Sequence, residues 1–139
     1  MKDTCAIGPA KRLNFAKTWQ GVGWAMVAVV VWLSLTPHPP QPPSFLGWDK
    51  AQHFAAYGGL MVWYGMSFAR HWRWPVFLVG LGVGLEFLQG LGGFRSFDPM
   101  DMVANTLGVG AGLLLVKTPA GHCLAVADAH LVKLGSRIG

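Results

Sequence analysis

An all-α membrane protein, folded as a bundle of four transmembrane helices, is predicted by three observations. Only 12% of the 139 residues are charged and 53% are hydrophobic, whereas soluble domains carry roughly 25% charged residues. Mean hydropathy is +0.40. Four apolar runs, each near the ~20 residues needed to cross a bilayer, are separated by short polar or proline-rich segments. The seven Trp agree with this, because Trp collects at membrane interfaces.

The elements follow in order. Residues 1–17 form a polar tail with Lys2, Lys11, Arg12 and Lys17. The uncharged run from Trp19 to Leu35 follows, and no small-residue cleavage site succeeds it. This predicts an uncleaved first helix rather than a signal peptide. Prolines crowd residues 36–48 and block helix there. A second run, from Ala51 to Ala69, ends at the basic-aromatic turn Arg70-His71-Trp72-Arg73-Trp74. Pro75 opens the third run, Gly92-Gly93 closes it, and Pro99 precedes the fourth. The spacing predicts helices over 18–36, 50–69, 74–92 and 100–117, making 18–117 one membrane domain between the tails 1–17 and 118–139. Leu124, Leu131 and Leu134 recur near helical spacing, so the last tail reads either as a short surface helix or as a frayed end. Gly80 with Gly84, and Gly108 with Gly112, form small-xxx-small pairs that let helix backbones approach closely. Gly84 and Gly108 are therefore expected at helix contacts.

Charge gives the orientation. Four spans place both tails and the 70–74 turn on one side, with nine of the eleven Lys and Arg; Lys50 and Arg95 lie opposite. The positive-inside rule makes the basic side cytoplasmic, with both termini inside. The net charge of +5 is scattered through these flanks and forms no basic stripe, so nucleic acid is not an expected partner. Cys5 and Cys123 lie in opposite tails without metal or CxxC spacing. No cofactor and no metal are expected.

The polar residues within the apolar runs gather at the outer ends. His53 lies roughly 6 Å into the second helix from Asp49, and Tyr57 follows one turn on, on the same face. Glu86 sits roughly 9 Å inside the end at Gly92, with Gln89 beside it; Asn105 is roughly 6 Å below Asp101. Asp49 and Lys50 fall at the rim, and Arg95 and Asp98 on the loop joining the third and fourth helices. Exposing such groups to lipid is costly, so the stripes are expected to converge on one outer-leaflet pocket. Glu86 would there find a partner such as His53, Arg95 or Gln89.

The series Asp49-Lys50-x-x-His53-Phe54-x-x-Tyr57, Glu86-x-x-Gln89 and Arg95-x-x-Asp98-x-x-Asp101-x-x-x-Asn105-x-x-Gly108 resembles the VanZ-like family of small bacterial membrane proteins. The resemblance covers residues 49 to 112, with a compatible first helix. The family is named for a member associated with resistance to the glycopeptide teicoplanin. The resemblance implies a cell-envelope protein of the bacterial cytoplasmic (inner) membrane and carries no settled reaction with it.

Three functions fit these residues. An enzyme acting on a lipid or lipid-linked envelope precursor would use His53 as base and Glu86 and Asp101 as acids. Asp49, Lys50, Tyr57, Gln89, Arg95, Asp98 and Asn105 would bind the substrate, Arg95 suiting a phosphate through its planar fork. A non-catalytic lipid binder or accessory protein would use the same set to hold a headgroup. A small proton-coupled carrier would relay protons through Glu86 and His53, and a path of that kind needs a homo-oligomer.

Overall fold

The computed structural model describes residues 13–40, 44, 48–69, 71–93 and 96–138. The tail up to Arg12 with Cys5, much of the proline connector, Arg70 and Arg95 lie outside the described residues. Among the described residues five α-helices follow one another: α1 (Ala16–Leu35), α2 (Asp49–Ser67), α3 (Arg73–Gly92), α4 (Pro99–Val116) and α5 (Cys123–Ile138), with a 3₁₀ turn at Pro119–His122 before the last. The first four agree with the expected spans to within a residue or two. Three of them, α1, α3 and α4, are long and apolar enough to cross a membrane. The remaining one, α2, begins with Asp49, Lys50, Gln52 and His53, and it packs against α1, α3 and α4. Neighbouring helices rather than lipid therefore cover much of its polar side.

Local chemistry sets the helix ends. The Thr36 hydroxyl and amide both donate to Trp32 O at the end of α1, and the prolines beyond cannot continue the helix. Gly93 ends α3 with φ +67, the left-handed turn that only glycine adopts freely. Asp98 caps α4, its Oδ1 accepting from Met100 N at 2.9 Å with Pro99 at the first helical position.

The core centres on α2. Tyr57, Leu60, Met61 and Tyr64 are buried with Leu78 of α3 and Val109 of α4. Small residues bring α2 and α4 into backbone contact: a Cβ on Gly112 would lie 2.6 Å from Gly58 O, and one on Gly108 would strike Phe54 O. The other expected pair is different. Neither Gly80 nor Gly84 has any atom within 4 Å of where a Cβ would stand, which corrects the expectation for Gly84. The buried residues of α3 are Leu78, Gly82, Leu85, Glu86 and Gln89, one face of a 3.6-residue period. Gly84 points the opposite way, and Gly82 makes the close contacts instead, with Asn105 and Tyr57.

An aromatic cluster fills the end of the bundle where α2 finishes and α3 begins. Tyr64 stacks on Phe68 at 4.7 Å and meets Trp74 edge-on at 5.1 Å. Tyr64 is fully buried, and among the described residues its hydroxyl has no hydrogen-bond partner. A desolvated, unmet hydroxyl costs roughly 1–3 kcal/mol. Tyr64→Phe is therefore expected to raise the melting temperature in detergent, and a lowered one would reveal a hidden partner for the hydroxyl.

The short tail is helical. Asp128 of α5 is 1% exposed, and its carboxylate accepts from Asn14 N, Asn14 Nδ2, Phe15 N and the Trp19 indole at 2.7–3.0 Å. A residue from the far end of the chain thus caps the start of α1. Large apolar side chains point outward from the bundle, among them Trp32, Val76, Leu88, Leu107 and Leu114, as a lipid-facing surface requires.

Candidate functional site

Alternating helix direction brings the end of α1, the start of α2, the end of α3 and the start of α4 together at one end of the bundle. Contacts tie all four: Gln89 Nε2 donates to Ser34 O at 2.8 Å, Asp98 N donates to Glu86 Oε1 at 2.6 Å, and Lys50 Nζ donates to Asp98. Two helices present their N-termini here, and a helix N-terminus favours negative charge. Asp49 and Asp101 lie in those first turns.

Lys50 is the hub of the ion pairs. Its Nζ lies 2.5 Å from Asp101 Oδ1 and 3.9 Å from Asp49 Oδ2, besides its bond to Asp98. Pairing offsets the cost of holding these charges in a low-dielectric bundle. The Lys50 hydrogen bond, helped by the Met100 amide, holds the Asp98 carboxyl below the usual carboxylate range.

His53 lies between α2 and α4. Its Nδ1 is 3.0 Å from Asn105 Oδ1, and its Nε2 is 3.4 Å from Asp101 Oδ2 and 4.0 Å from Asp49 Oδ1. The side chain of Asp101 is 7% exposed and that of His53 13%. Beside this cluster opens a cleft of about 460 Å³ between α1, α2 and the first prolines of the connector. Asp49, Gln52, His53 and Tyr57 line one wall with Ser34 opposite, and Val30, Leu33 and Ala56 supply apolar surface.

The sequence-predicted residues therefore separate into three groups. Asp49, His53 and Tyr57 face the cleft. Glu86, Gln89, Asp101 and Asn105 are buried and stand behind it, while Lys50 and Asp98 tie the rim. Arg95 lies outside the described residues. Among the described residues, the Glu86 carboxylate accepts from the Asp98 backbone amide and so fastens the α3–α4 connection. Asp98 is both helix cap and ion-pair partner. Sequence reading missed Gln52 and Ser34. Gln52 adjoins His53 but breaks the i, i+4 stripe, and Ser34 looked like an ordinary member of an apolar run.

A model of the VanZ/LLP1 family matches residues 10–120. No curated protein and no solved structure matches the chain.

Proposed function

The chain belongs to the VanZ/LLP1 family, and we propose that it holds the polar head of a lipid, or of a lipid-linked cell-envelope precursor, at the polar end of its helix bundle. The cleft carries this reading. It sets Asp49, Gln52 and His53 beside apolar side chains of α1 and α2, the pairing of chemistries that an amphiphile presents. Its volume of about 460 Å³ lies within the 300–1,000 Å³ typical of ligand sites. The positive-inside count puts this end at the outer leaflet of the cytoplasmic membrane, where envelope precursors are used. In a family named for a glycopeptide-resistance protein, a lipid-linked precursor is an occupant of the right class.

Holding the molecule is favoured over converting it. Glu86, one of the two candidate acids, is 1% exposed and engaged by the Asp98 amide. Asp101 is committed to Lys50 and His53. Both carboxylates are already engaged by the chain's own groups.

Lipids retained by the detergent-purified protein test this. One headgroup class is expected to be enriched roughly tenfold over the membrane average, equivalent to about 1.4 kcal/mol of preference. His53→Ala and Gln52→Ala are expected to abolish the enrichment without unfolding the bundle. A headgroup profile equal to that of the bulk membrane would refute the reading.

A further inference from the structure

The geometry points to a divalent-cation site at the cleft, formed by Asp49, His53 and Asp101 and suited to an ion of the zinc or manganese class. It rests on the reading of the cleft as a ligand site and adds what that site uses to grip an anion. One ligand atom from each of the three residues lies within 4.8 Å of the others. Zinc bound at about 2.1 Å in tetrahedral geometry sets its ligands about 3.4 Å apart. His53 Nε2 and Asp101 Oδ2 stand at 3.4 Å, and Nε2 and Asp49 Oδ1 at 4.0 Å. Asp49, whose side chain is 44% exposed, is the ligand at the rim of the trio.

The far nitrogen of His53 supplies an independent reason. Asn105 Oδ1, 3.0 Å from Nδ1, is a carbonyl oxygen and only accepts, so Nδ1 carries the proton. This is the arrangement in which a metal-binding histidine is held by its second neighbour. It turns Nε2 toward two carboxylate oxygens. A lone pair there is repelled unless a cation stands between, and that cation is either a second proton on the ring or a metal ion.

Asp49, Asp98 and Asp101 surround the Lys50 ammonium at this end. Lys50 Nζ approaches Asp101 on Oδ1, leaving Oδ2 to share with His53. One nitrogen and two oxygen ligands suit zinc and manganese better than calcium or magnesium, which prefer all-oxygen sets. Three protein ligands leave a position open. Asp49 and His53 line the cleft, so that position can meet an anionic oxygen of a headgroup, such as a phosphate.

Titration of the metal-stripped, detergent-solubilised full chain with zinc chloride tests the site. One zinc ion per chain is expected to bind saturably. His53→Gln and Asp49→Asn are each expected to weaken it by roughly 100-fold or more, and Asn105→Ala by about 10–100-fold. Asp49 sits at the rim, so its variant keeps the inference falsifiable should His53→Gln fail to fold. The absence of saturable binding, or binding indifferent to Asp49→Asn and His53→Gln in folded protein, would overturn the inference. Headgroup enrichment that persists in metal-stripped protein overturns the metal's part while leaving the lipid reading intact. Zinc bound with no headgroup preference supports the site and removes the lipid reading alone.

Discussion

Gly112→Ala is expected to lower stability by about 3 kcal/mol, at the upper end of what an overpacked core costs. The added methyl would stand 2.6 Å from Gly58 O and 2.7 Å from Met61 Cβ. Backbone cannot rotate aside as a side chain does, so α4 must move off α2. Gly108→Ala meets Phe54 O and lies 3.1 Å from Gly58 N, and it is expected to act as strongly. Gly84→Ala is the control: it meets nothing within 4 Å and removes a helix-interior glycine, which by propensity gains up to about 1 kcal/mol. Thermal unfolding in detergent reads all three. A Gly112→Ala protein that melts with the wild type would show that α2 and α4 do not approach this closely. The effect reaches the site, because Gly108 packs on Phe54 while Asn105, one turn earlier, meets the adjacent His53. Separating the helices draws the histidine away from the group that orients it.

The four long helices and the convergence of polar residues at one end were legible in the sequence. Apolar length gives the helices, and the cost of exposing polar groups to lipid turns them inward. The inward face of α3 was legible as well, since Gly82, Glu86 and Gln89 share a face by spacing alone; reading the small-xxx-small pair Gly80–Gly84 in preference to that face produced the error. The partners were not legible. Periodicity describes one helix and does not say which helices touch. Glu86 is held by a backbone amide, which leaves no signature in sequence. Asp49 and His53 have the i, i+4 spacing of helical metal ligands, but Asp101, on another helix, completes the carboxylate-histidine cluster and no short motif announces it. The cleft depends on α1 lying along α2, and the uncharged run that forms α1 gives no hint of its neighbour.

The anchoring of α5 by Asp128 is expected to be lost in acid. Burial by itself would raise this carboxyl's pKa. The backbone amides of Asn14 and Phe15, with the Trp19 indole and the Asn14 side chain, outweigh it and hold the pKa at about 2, against 3.8 for an ordinary Asp. A carboxyl depressed on folding contributes its full stabilisation above the unfolded value and loses it as pH falls through the folded one. Docking of α5 on the start of α1 is thus complete above about pH 4 and disappears toward about pH 2. Asp128→Asn tests the same contact at neutral pH. Each carboxylate oxygen accepts from two donors, so an amide nitrogen in either position faces N–H groups it cannot bind. The variant is expected to leave the Asn14 and Phe15 amides without hydrogen-exchange protection at every pH, and to open the Lys117–His122 connection to protease. The wild type is expected to lose that protection only between about pH 4 and pH 2. Full protection in Asp128→Asn at neutral pH, or a wild-type profile flat through that window, would show that the Asp128 carboxylate is not what fastens the two ends of the chain.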